Sequence, residues 1–166
     1  MAEARAGLPI LAFSDLAAVE LWLAQQAADS PGAWFKFAKE GSGVASVSKS
    51  EAIDAALCHG WIDGQLDKDD AKFWLTRFTP RKPRSKWSQV NCTRAQQLIA
   101  AGRMHPRGQA AIDAARADGR WDAAYAPAST AEVPPDLQVA LVVREQLDFA
   151  RARLSGVISS AAIPSV

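Results

Sequence analysis

The spacing of apolar positions changes along the chain, and the changes mark its elements. Leu16, Val19, Trp22 and Leu23 recur at intervals of three and four, which puts them on one face of a helix running to about Ala28. Phe13, Ser14 and Asp15 precede it as staple residue, N-cap and first-turn acid. Ser30-Pro31-Gly32 breaks the period, and Trp34 to Lys39 then alternates roughly by two, as a half-buried strand does, until the Gly41-Ser42-Gly43 turn. Ser48 with Glu51 forms a capping box ahead of Ala52, Ile53, Ala56 and Leu57, the stripe of a second helix that Gly60 can terminate.

Trp61 to Leu66 and Lys72 to Phe78 are two strand-like runs joined by Asp67-Lys68-Asp69-Asp70, so a hairpin is predicted there. Pro80 and Pro83 lack the N–H that a ladder needs and leave Arg81 to Trp87 as an extended loop. Ser88 caps a third helix ending near Gly102, and Pro106 opens a fourth, alanine-rich helix to Ala117 that Asp118-Gly119 ends. The pattern predicts an α+β fold, a small antiparallel sheet of about three strands with helices packed on one face, within a core domain over 1–126. A linker at 127–135 and a C-terminal helix with a frayed tail over 136–166 follow, making a helical C-terminal part.

Composition narrows the classes. With 166 residues, 49% of them hydrophobic and 22% charged, the chain fits one globular domain and not a disordered one. No apolar run approaches the roughly 18 residues of a bilayer span, and the start lacks the basic and apolar regions of a secretory signal, so no membrane insertion and a cytoplasmic setting are expected. Cys58 and Cys92, with His59 and His105, make neither a disulfide framework nor a zinc spacing. No metal and no cofactor are expected. No nucleophile elbow, H-E-x-x-H or phosphate loop occurs, which leans away from an enzyme. Cys58 and His59 adjoin, but helix neighbours point about 100° apart, so a buried thiol and a histidine on the last carbonyls are expected.

The net charge of +1 hides a local bias. Residues 72–94 carry Lys72, Arg77, Arg81, Lys82, Arg84, Lys86 and Arg94 with no acid, interleaved with Phe73, Trp74, Phe78 and Trp87, so the remainder is net acidic and anions should favour this segment. A hairpin symmetric about Asp69 sets Trp61 opposite Arg77, with Asp63 in diagonal reach. Two readings follow. Either Arg77 is a structural, salt-bridged and tryptophan-stacked arginine, or Arg77, Arg81 and Trp87 frame a pocket for an anionic or planar ligand. Trp61, Asp63, Arg84 and Asn91 complete the candidate binding set, with Arg81 and Arg84 exposed on the proline-bounded loop. Single-stranded nucleic acid stacking on the basic and aromatic segment is the alternative.

Three blocks, Ala56 to Gly64, Arg77 through Asn91 and Ile99 to Met104, resemble the signature blocks of the YdeI/OmpD-associated family, also called bacteriocin-protection proteins. The resemblance covers about residues 8–140. It implies a role in tolerance of bacteriocins, antimicrobial peptides or stress, a protein partner as an alternative to a small ligand, and no catalytic residue to carry over. Beyond Leu141 the match stops, because members continue into a longer helical region with an Arg-rich end, whereas Val142 to Val166 of this chain is short and finishes in an uncharged tail.

Overall fold

The computed structural model describes residues 3–126, so the linker over 127–135 and the helix and tail over 136–166 lie outside the described residues. The elements are β1 (Ala4–Arg5), β2 (Leu8–Ala12), α1 (Leu16–Ala24), β3 (Ala33–Ala38), α2 (Lys49–Cys58), β4 (Trp61–Lys68), β5 (Phe73–Pro80), α3 (Gln89–Ala100) and α4 (Pro106–Ala117). They make an α+β fold. The sheet has five strands in the order β1-β2-β3-β5-β4, with β2 and β3 parallel and the other neighbours antiparallel.

The three strands expected from the sequence are β3, β5 and β4, and they are antiparallel. Two more lie beyond them, so the small antiparallel sheet becomes a mixed five-stranded one. The missed pair is short and contains Pro9, which weakens the strand signal. It closes through Ala6 and Gly7, both at positive φ, the geometry of a two-residue primed turn. Helix α1 also differs: Asp15, not Ser14, accepts from the Ala18 N–H as N-cap, and the helix ends at Ala24. The capping box of Ser48 and Glu51, the Ser88 cap and the Pro106 start stand as read.

Helices α1 and α2 pack on one face of the sheet. Phe35, Phe37 and Phe78 pack there against Val19 and Leu23 of α1 and Ala52, Ala55 and Ala56 of α2. A second cluster joins Leu57 and Cys58 to Trp87, Leu98 and Ile112 and thereby ties α2, α3 and α4 together. The opposite face is covered in part by Leu8, Trp34 and Leu75. No helix among the described residues is long and apolar enough to cross a membrane.

Gly60 and Gly108 let α4 begin hard against the end of α2. A Cβ on Gly60 would sit 2.9 Å from Arg107 O, and one on Gly108 would sit 2.7 Å from Leu57 O and nearer still to Cys58 O. The His105 N–H donates to Cys58 O at 3.1 Å. The positive start of one helix dipole thus meets the negative end of another.

Candidate functional site

The hairpin register decides which candidate side chains meet. Asp70 accepts from the N–H groups of Lys72 and Phe73 at 2.7 and 2.8 Å, and this Asx turn moves the hairpin centre past Asp69. Lys68 therefore pairs with Trp74, and a bulge between Asp63 and Leu66 brings Trp61 opposite Pro80. The expected Trp61–Arg77 pair is three residues out of register. An odd shift also flips the face: Trp61 lies with the helices, 2% exposed against Trp22, while Arg77 lies with Trp34 on β3. Asp63 faces Lys49 at 3.8 Å and not Arg77.

Arg81 and Trp87 do come together, although Arg81 is not the exposed loop arginine expected. Its guanidinium carbon lies 3.7 Å from the Trp87 ring centre, and Nη1 donates to Lys86 O at 3.1 Å. Its backbone N–H donates to Gly60 O at 2.9 Å, which carries the ladder past Pro80. Nε and Nη2 are shielded from solvent and have no hydrogen-bond partner among the described residues. Burial pushes the guanidinium down to about 10, so it remains charged at neutral pH. Trp87 is buried, with its ring 4.9 Å from Trp121. Arg84 is exposed on the loop, away from the groove described next, and Asn91 spends its N–H on Ser88 Oγ in the first turn of α3.

Arg81 lines two adjoining hollows where β5 ends and β3 and β4 begin. The outer one, of about 360 Å³, is bordered by Asp29, Ser30, Arg77, Thr79, Lys82 and Pro83. The inner one, of about 260 Å³, is bordered by His59, Trp61, Arg107, Ala110 and Ala111. Ala28 and Pro80 border both, so the two form one groove. Gly32 makes the outer wall possible, because a Cβ there would meet Thr79 Cγ2 at 2.7 Å and the Phe78 carbonyl; only glycine lets the 28–31 loop lie on the end of β5.

The groove carries Arg77, Arg81, Lys82 and Arg107 against one acid, Asp29. Arg77 and Lys82 are exposed and form no ion pair among the described residues, whereas Arg107 donates to Gln26 O. On its floor the His59 ring stacks on His105 at 4.0 Å instead of meeting the last carbonyls of α2. Burial, with His105 beside it, pushes His59 down to about 4, so the ring is neutral near pH 7. Its Nε2 is also shielded and unpartnered among the described residues.

Other hollows are less suited to an anion. The one beside Ser50 and Gln97 holds Arg94, already on Asp54 at 2.8 Å, and Arg103, which pairs with Glu20 at 2.9 Å. The one beside Ile62 and Tyr125 holds Arg120, which is bound to Asp118 at 2.7 Å and to Ser85 O. The aromatics interleaved with the basic segment are no open stacking platform either. Phe78 and Trp87 are buried, Trp74 stacks on Phe37, and Lys36 lies over Phe73.

Of the seven candidates, Trp61, Arg77 and Arg81 line the groove and Trp87 backs Arg81; Asp63, Arg84 and Asn91 do not line it. The reading missed His59, Arg107 and the Asp29-Ser30 wall. Their one available signal was glycine at 32 and 60, each with positive φ and crowded by backbone. Cys58 and Cys92 are free and buried, and burial pushes the Cys58 thiol up to about 11. No group of three or more His, Cys, Asp or Glu that could hold a metal occurs among the described residues. A family model described as a domain of unknown function (DUF8412) matches residues 11–111. No curated protein and no solved structure matches the chain.

Proposed function

We propose that this chain, which belongs to the DUF8412 family across residues 11–111, is a non-catalytic binding protein whose groove takes a small anionic ligand. The observation that carries the reading is Arg81, a charged guanidinium with two shielded donors on a groove rimmed by the cations Arg77 and Lys82, none of them partnered among the described residues. Leaving such donors unmade costs on the order of 1–3 kcal/mol each. A carboxylate or phosphate oxygen, reached by a small swing of the guanidinium, recovers that energy and adds charge-assisted bonds. The resemblance to the YdeI/OmpD-associated family belongs to the same proposal: its blocks contribute Gly60, Trp61, Arg77, Arg81 and Lys82 to the groove, and the implied role is tolerance of stress or antimicrobial peptides.

The test compares the wild type with the double variant Arg77→Gln and Lys82→Gln by thermal shift and titration calorimetry, using acetate, inorganic phosphate and a single-stranded oligonucleotide. Both residues are exposed, so the unliganded melting temperature should hold within about a degree, as surface changes usually allow. Acetate or phosphate should bind the wild type at least tenfold more tightly than the variant. Equal binding to both proteins would remove the groove from the account. Oligonucleotide binding that falls steeply with salt, unaltered in the double variant, would favour a basic surface elsewhere.

A further inference from the structure

The inner hollow differs in kind from the outer one. Its walls are apolar or small: Trp61 and Pro80 on one side, Ala110 and Ala111 on the α4 side, and Ala28 at the rim. Alanines at 110 and 111 leave room that any larger residue on that face would fill. Arg81 and Arg107 also line it, and His59 Nε2 is shielded and without a partner among the described residues. Stacking on His105, with the planes 25° apart, fixes the plane of that imidazole.

Size limits what fits. About 260 Å³ exceeds the roughly 150 Å³ that holds a benzene ring and falls short of the roughly 300–1,000 Å³ of drug-sized sites. A single ring matches this hollow. Resting on the anion-binding reading above, we propose that the ligand is a monocyclic aromatic carboxylate. Its ring lies in the inner hollow between Trp61, Pro80 and Ala111, its carboxylate meets Arg81 at the mouth of the outer hollow, and a ring hydroxyl reaches His59 Nε2. A neutral imidazole suits that last contact, since a phenol can donate to it or accept from it.

Titration calorimetry on the full chain with acetate, benzoate and 4-hydroxybenzoate tests this. The proteins needed are the wild type, Ala111→Leu, His59→Gln and the double variant Arg77→Gln with Lys82→Gln. Ala111 is half-exposed on a helix, where leucine is a good helix former, so that variant fills the hollow without emptying the core. Benzoate should bind the wild type at least tenfold more tightly than acetate, and 4-hydroxybenzoate more tightly again. Ala111→Leu should bring benzoate down to the level of acetate. His59→Gln should remove the advantage of the hydroxyl and keep that of the ring. If acetate binds and depends on Arg77 and Lys82 but benzoate is no tighter, the ring site is wrong and the anion groove stands. If inorganic phosphate binds and no carboxylate does, the inference falls and the anion groove stands; if neither binds, both readings fall. If benzoate binds equally to Ala111→Leu and wild type, its ring lies elsewhere and the inference is overturned.

Discussion

Replacing the Arg81 side chain in two ways separates its packing from its charge. The guanidinium lies over the Trp87 ring, whereas Nε and Nη2 are shielded donors with no partner among the described residues. Arg81→Ala should cost about 1–3 kcal/mol, because it uncovers the ring and leaves a gap. Arg81→Met keeps an apolar stem of similar length and deletes the unpaired donors, so it should cost less than about 1 kcal/mol or stabilise. Both should lose anion binding. Urea unfolding of the two variants decides this, and equal losses of stability would mean that the charge itself holds the fold. The sequence showed that Arg81 and Trp87 belong to one basic and aromatic segment, and they meet. It did not show which tryptophan stacks on which arginine, since Trp61 and Arg77 were set face to face by a hairpin centre that the Asp70 side chain moves.

Among the elements, the helices were the more legible part because their end signals are local. Ser48, Ser88, Pro106 and the glycines at 60, 102 and 119 act within a turn of where they stand. Strand register is not local, and β1 with β2 left only a short apolar run broken by Pro9. The junction of α2 with α4 was invisible for the same reason, since it joins residues nearly fifty apart. It carries a sharp expectation: Gly108→Ala drives a methyl into the Leu57 and Cys58 carbonyls and should destabilise by about 2–4 kcal/mol, the scale of overpacking against backbone that cannot yield. At the β1–β2 turn the sign reverses. Ala6 has φ 51 and precedes Gly7, so Ala6→Asn supplies the Asn-Gly pair that primed turns favour and should stabilise by about 0.5–1 kcal/mol. Thermal melts of both variants check the pair of signs.

At the scale of the whole molecule, the anion-favouring surface and the acid sensitivity meet at one end of the sheet. His59 has its folded value pushed down to about 4 by burial and by His105, with Glu20 opposing and Arg107 adding to the shift; the ordinary value is about 6.5. The unfolded chain therefore takes up that proton first. Stability should be unaffected by this group above about pH 6.5, fall as the pH drops from there to about 4, and lose nothing more to it below. Asp15, Glu51, Asp70 and Asp118 are each held below their ordinary range, the first three mainly by hydrogen bonds at turns and caps and Asp118 by Arg120. Their contribution is lost only as the pH falls through and below about 4. His59→Gln should thus flatten the melting-temperature profile between pH 6.5 and 4 and leave the steeper loss below it.

The claim on which the account rests is that a small anion is held at Arg81, in the groove between the 28–31 loop, the end of β5 and the start of α4. A backbone and arginine Nε NMR titration of the full chain with benzoate tests it most directly. Saturable shifts should concentrate at residues 29–32, 59–61, 77–82 and 107–111, with the Arg81 Nε–H signal moving most among the arginines. Shifts centred on Arg84, Lys86 and Asn91, or an Arg81 signal that stays fixed while others saturate, would contradict it.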